Sequence, residues 1–262
     1  MTLFLLYALV GVAAGFFGGL FGLGGGIVVV PALYFLFKTA AFHAEVMMNM
    51  AVGTSLATAV FTATTSTWAH HRRGAVQWPA VRLLAPGVLA GGLLGAFAAS
   101  GIPPDGLRVF FGLFEIAVAW QLLRNWRPRP SRRLPSSAVM IGVGVLFGAL
   151  SALLGIGGGT LTVPFLYWCN TGMRQSVATS AAVGLPITLA GAVGHVLAGW
   201  GQPALPPGST GHLYWPALAA IAATSVFAAP LGARVAHSVP VATLKRAFAM
   251  VVALIGARML WG

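Results

Sequence analysis

The chain alternates long apolar runs with short polar breaks. The runs cover about residues 3–21, 26–37, 46–69, 79–99 and 107–124, then 138–154, 159–169, 176–199, 214–233 and 243–261. Their length, with Pro or Gly punctuating the ends, predicts helices throughout. Asp, Glu, Lys and Arg are absent from residues 2–37, 134–173 and 175–233, stretches too long for buried helices of a soluble core. A helix of about 20 apolar residues crosses a hydrocarbon layer. At about 1.5 Å per residue the runs 26–37 and 159–169 fall short of that, so each is expected to be half of a broken or re-entrant helix pair. The expected fold is therefore an all-α integral membrane protein with about eight full spans plus two short segments.

The pattern is also written twice. Gly22 to Pro31 reads GLGGGIVVVP and Gly155 to Pro164 reads GIGGGTLTVP. Thr54-Ser55 is matched by Thr179-Ser180, His70 by His195, Trp78-Pro79 by Trp215-Pro216, Ile102-Pro103 by Val239-Pro240, and Leu107-Arg108 by Leu244-Lys245. The order is the same throughout, as in transporters built from internal repeats. Residues 1–124 form the first membrane repeat, 125–137 a basic linker, and 138–262 the second repeat. The N-terminal MTLFLLYALVGVAAGFFGG lacks the basic n-region of a signal peptide. Its glycines recur at mid-chain, so it is expected to belong to the mature fold.

Charge then orients the halves. Only 7% of the chain is charged, and fifteen Lys or Arg stand against three acids. A soluble domain carries about a quarter charged residues. The basic residues lie between apolar runs and leave no solvated basic domain for nucleic acid. The linker NWRPRPSRRLP is the most basic loop and is expected in the cytoplasm. If each glycine-rich pair enters and returns, twelve of the fifteen basic residues share its side, leaving Lys38, Arg108 and Arg258 opposite. Parallel repeats would give a weaker split, so inverted repeats with both termini outside are expected. Arg108, Arg246 and Arg258 near helix ends are read as snorkelling side chains.

The glycine decamers carry the candidate chemistry. Gly24, Gly25 and Gly26, and Gly157, Gly158 and Gly159, would permit a tight reversal with φ > 0 and close backbone approach. Pro31 and Pro164 would occupy the first turn of the short helix that follows. The product is a helix N-terminus at membrane depth, whose unpaired N–H groups suit an anion. The alternative is close helix packing, which also accounts for the small-residue steps Gly11/Gly15/Gly19 and Gly87/Gly91/Gly95. No Lys-Ser or Lys-Thr follows either decamer, so neither is a nucleotide-binding P-loop.

Paired G-x-G-G-G-x-x-x-x-P motifs, one opening each of two homologous apolar halves, resemble the TauE/SafE family of sulfite exporters across essentially the whole chain. The resemblance implies a secondary transporter of the cytoplasmic membrane for a small, sulfur-containing anion such as sulfite or an organosulfonate. Uptake of another small anion, such as sulfate, thiosulfate or a carboxylate, by the same architecture is the alternative. A membrane enzyme would need a nucleophile–base pair or metal cluster within the spans, and none is found. A plain scaffold would not need broken helices. No cofactor and no metal is expected; the partners are the anion and the lipid bilayer.

Other polar residues complete the list. Thr54, Ser55, Thr179 and Ser180 could hydrogen-bond oxyanion oxygens, or bond back to their own helix. Asn49, polar within MMNMAV, is a further ligand candidate. Glu115 lies near the middle of an apolar run, where a carboxylate either couples to protons or pairs with an Arg. His195 is the second coupling candidate, with an interfacial histidine as the ordinary reading. The lone Cys169 excludes an internal disulfide.

Overall fold

The computed structural model describes residues 2–21, 25–124, 134–238 and 241–261, and their side chains except those of 2, 19, 21, 232–238 and 241–245. Gly24, most of the linker and Val239-Pro240 lie outside the described residues. Ten helices follow in order: α1 (Thr2–Phe21), α2 (Gly26–Thr39), α3 (Ala44–Arg72), α4 (Trp78–Gly101), α5 (Pro104–Arg124), α6 (Ser137–Leu154), α7 (Gly159–Trp168), α8 (Met173–Ala198), α9 (Trp215–Ser238) and α10 (Val241–Trp261). One two-stranded hairpin, β1 (Ser209–Thr210) and β2 (Leu213–Tyr214), precedes α9. Among the described residues α3, α4, α5, α6 and α8 are each long and apolar enough to cross a membrane. The exterior is hydrocarbon: Leu94, Trp120, Phe227, Leu254 and Trp261 are all exposed. Polar groups such as Asn49, Thr54, Glu115 and His195 are buried instead. This is a multi-pass, all-α membrane protein.

The halves are interlocked. The first helix of each half packs on the fourth helix of the other, α1 on α9 and α6 on α4. Both contacts are built on glycine, because without a Cβ two helix backbones can touch. A Cβ at Gly11 would stand 2.7 Å from the Ile221 carbonyl oxygen, and one at Gly144 2.7 Å from that of Leu84. Gly15 abuts Ser225 and Gly148 abuts Val88 in the same way. These are equivalent pairs with the halves exchanged. Here the packing reading of the small-residue steps holds, since Gly87, Gly91 and Gly95 rest on Ile141, Val145 and Ala149.

Helix directions follow from such contacts. Gly53 of α3 meets His195 of α8, while Leu56 meets Gly191, so α3 and α8 run antiparallel. Gly112 of α5 meets Gly256 and Leu260 of α10, and Arg108 donates to the Met259 carbonyl, so this pair is antiparallel too. Both are pairs of repeat equivalents. Their senses, with the short loops, place the ends of α1 and α10 on one face and the α5–α6 connection on the other. These are called below the termini face and the linker face.

The two faces are packed differently. The second half of α8, beyond Pro186, is largely buried under α4, with Gly191 and Gly194 in contact with Leu56 and Ala96. The equivalent half of α3, from Phe61 to Arg72, is half-buried or exposed.

A side chain at Gly91 would drive into the Val145 backbone. Gly91→Val is therefore expected to destabilise the protein by about 1–3 kcal/mol, read as a lower melting midpoint in detergent. Gly142→Val on α6, where a Cβ meets nothing, should leave that midpoint nearly unchanged.

Candidate functional site

The two glycine decamers meet each other. A Cβ on Gly26 would collide with the carbonyl of Gly155 and with the Ile156 backbone. Gly155 itself closes α6 in the left-handed conformation, φ 65°, and lies against Val30 of α2 and Val52 of α3. Gly158 lies against Ile187 and Gly184, at the middle of α8. The start of α2 thus rests on the turn that precedes α7, inside the protein, and the start of α7 rests on the middle of α8. At 14 and 10 residues, α2 and α7 are too short to cross.

Two expectations about this motif are corrected. Gly25 and Gly158 are the residues just before the short helices, and both have right-handed backbone, φ −65° and −55°. Among the described glycines of the two decamers only Gly155 has positive φ. The described members of the triple glycines are therefore not in left-handed backbone; Gly25, Gly26 and Gly158 serve close approach, to Ala14, Gly155 and Ile187. Pro31 and Pro164 are the sixth residues of α2 and α7, not first-turn residues. In the second turn each withholds the N–H that would bond the carbonyl four residues back, that of Ile27 or Thr160.

Neither short helix is capped by a side chain. Their first N–H groups have no carbonyl inside the helix to bond. Gly157 and Gly159 flank Gly158 at this end of α7 and are half-buried.

The Thr-Ser pairs sit around the same place but with unequal roles. The Thr54 hydroxyl accepts the backbone N–H of Tyr214 at 3.0 Å, and Thr179 accepts that of Gln77 at 3.0 Å. Each threonine thus ties its long helix to the residue before the fourth helix of the opposite half. Ser55 donates to the Gly155 carbonyl at 2.8 Å, joining α3 to the second decamer. Ser180 is buried, and its hydroxyl has no partner.

Sequence reasoning missed three hydroxyls. Thr160 and Thr162 of α7 and Ser151 of α6 are buried without hydrogen-bond partners. The signal was visible: the second decamer has Thr160 and Thr162 where the first has Ile27 and Val29. A hydroxyl buried dry costs about 1–3 kcal/mol. Among the described residues four such groups, on α6, α7 and α8, are buried without a partner, two of them within the first four residues of α7.

A match to the sulfite exporter TauE/SafE family covers residues 7–259. The chain belongs to that family. A probable membrane transporter protein of Haemophilus influenzae is 35% identical over 98% of both chains. The probable membrane transporter protein YunE of Bacillus subtilis is 27% identical over 98% of this chain and 97% of its own. One from Methanocaldococcus jannaschii is 33% identical over 71% and 69%. No solved structure matches. This TauE/SafE protein is a membrane transporter.

The remaining candidates lie apart from the decamers. Asn49 is buried on α3, its Oδ1 without a partner, and lines a cavity of about 390 Å³ at the termini face with Glu45, Ser100 and Gln202. Glu115 is fully buried between α5 and α10, with its Cβ against Gly256. Neither carboxylate oxygen has a hydrogen-bond partner. His195 is buried and its Nε2 donates to the Ala152 carbonyl at 3.1 Å, one turn before Gly155. Its repeat equivalent His70 is half-buried at the end of α3.

Thr54→Val and Thr179→Val each leave a backbone N–H without its acceptor. Each is expected to lower stability by about 1–3 kcal/mol, measured by thermal unfolding in detergent. Val at Ser180, whose hydroxyl bonds nothing, should cost less.

Proposed function

We propose that this transporter is a secondary permease carrying a small anion, sulfite or an organosulfonate, through alternating access between two inverted halves. The antiparallel course of equivalent helices supports inversion, and the contacts that recur with the halves exchanged support it further. The basic residues at the linker-face ends, Arg72, Arg73, Arg82, Arg124 and Arg174, support a cytoplasmic linker face in the inner membrane. No step of this reading is enzymatic.

The observation that carries it is the uncapped start of α7 inside the protein, with unpartnered buried hydroxyls on α6, α7 and α8 and the start of α2 resting on the turn before it. Backbone N–H groups at a helix start favour negative charge, and hydroxyl donors suit oxyanion oxygens. The anion is held chiefly by the second half, through the start of α7 with Ser151, Thr160, Thr162 and Ser180. Thr54 and Thr179 position the helices that frame it. Gly24, the further glycine of the first decamer proposed for the anion, lies outside the described residues. Asn49 faces the anion's route at the termini face. The unequal packing of the two faces is what one state of an alternating-access cycle requires, with the linker face the looser. Glu115, dry and unpaired, carries the coupling proton between α5 and α10.

Purified protein in liposomes is expected to move sulfite. Flux no greater than that of empty liposomes across sulfite, sulfate, thiosulfate and sulfoacetate would defeat the substrate class. Thr160→Val and Thr162→Val keep the shape and remove the hydroxyl. Each should raise the half-saturating anion concentration about tenfold or more, the loss of one hydrogen bond to a charged group. Glu115→Gln should fold and flatten the pH dependence of flux; an unchanged pH profile would remove Glu115 from the coupling path.

A further inference from the structure

The connection between α8 and α9 has no match in the first half. Residues 73–77 join α3 to α4, whereas residues 199–214 join α8 to α9. The extra length folds into the β1–β2 hairpin and enters the bundle at the termini face. Gly211 presses on the Val196 carbonyl, and the His212 carbonyl lies against Gly53 of α3. Leu213 is buried, and the Tyr214 ring stands edge-on to Tyr7, Phe37 and Phe42. The hairpin packs over the contact of α3 with α8 at that face.

Its deepest side chain is a histidine. His212 is fully buried, and its ring centroid is 5.9 Å from that of His195 at an interplanar angle of 66°. The His212 backbone N–H donates to the His195 carbonyl at 3.2 Å. Its Nε2 donates to Gln202 Oε1 at 3.0 Å, while His195 Nε2 donates to the Ala152 carbonyl. With both Nε2 atoms acting as donors, each neutral ring keeps a bare Nδ1. Neither Nδ1 has a partner. Gly53 of α3, Ala152 of α6, and Gly199 and Gln202 of the connection pack against the pair, and none of them is titratable. Glu45 lines the outer cavity with Gln202, and Tyr214 lies two residues along the hairpin. No carboxylate among these contacts touches either ring.

We propose that His195 and His212 form a proton-binding site that latches the hairpin as a plug, and that protons arriving from the termini face release it. The latch rests on contacts alone; its use as a transport gate rests on the permease reading above. A first proton creates an imidazolium whose new Nδ1–H finds no acceptor. A second sets two like charges in one dry site. Hydration relieves both, and withdrawal of the hairpin, which carries His212, exposes the two rings to it.

The sign follows from burial. Desolvation holds His212, in the connecting segment, down at about 4, against the ordinary 6.5. Neutral His212 favours the plugged state fully above pH 6.5, and that preference falls as pH drops from about 6.5 toward 4. His195 also holds α6 one turn before Gly155, through its Nε2 and the Ala152 carbonyl.

The test is hydrogen exchange of the intact protein in lipid nanodiscs at pH 7.5 and pH 5.0, corrected for the intrinsic pH dependence of exchange. Protection of the His212 and Tyr214 amides should fall roughly tenfold or more at the lower pH, with α5 amides unchanged as the folding control. In His195→Gln and His212→Gln, each read alone, the pH response should shrink, and in the double variant vanish. Protection independent of pH in the natural protein would overturn the latch, and so would an undiminished response in the double variant. No substrate enters this experiment, so a failed flux assay would count against the permease reading and leave the latch standing or falling by itself.

Discussion

Everything in this protein depends on backbone touching backbone where no water is available. Gly26 rests on Gly155, and Gly11, Gly15, Gly144 and Gly148 let α1 and α6 lie directly on α9 and α4. In hydrocarbon the hydrophobic effect does not press helices together, so close van der Waals contact has to do it. A helix can break at that depth only where protein receives the freed polar groups. The interlocked halves supply such a place: the Ser55 hydroxyl meets the Gly155 carbonyl, and the glycine turns shelter each other.

The two decamers are alike in sequence and unlike in chemistry. The first continues into Ile27 and Val29, which are packed in the main core. The second continues into Thr160 and Thr162, whose hydroxyls are unmatched. Both decamers lead into a short helix that starts inside the bundle, and only the second carries hydroxyls there. The same divergence marks the outer ends. The connection after α3 is a tight turn, and the equivalent connection after α8 is a hairpin that seals its face with His212.

Much of this was legible from residues alone. All ten helices fall within a few residues of the apolar runs, because a hydrocarbon-spanning helix imposes length and polarity directly on sequence. The doubled glycine motif and the short lengths of α2 and α7 were legible too. The role assigned to the triple glycines needed correction at Gly25, Gly26 and Gly158. Glycine accommodates both positive φ and close contact, and composition cannot tell which demand is being met. Pro31 and Pro164 were placed a turn too early because the first helical residue follows the glycine contact, not the proline.

Local pattern therefore determined the membrane class, the helix order and the doubled motif, since each is set by the solvent around one segment. Tertiary structure decided which surfaces meet across the halves. Thr54 and Thr179 became acceptors for distant backbone N–H groups, and Asn49 was carried to an outer cavity. His195 was joined to His212 across a connection that showed no periodic signal. Two of these pairs lie 160 and 102 residues apart and meet across the halves, while His195 and His212, 17 residues apart, meet through the fold of the α8–α9 connection.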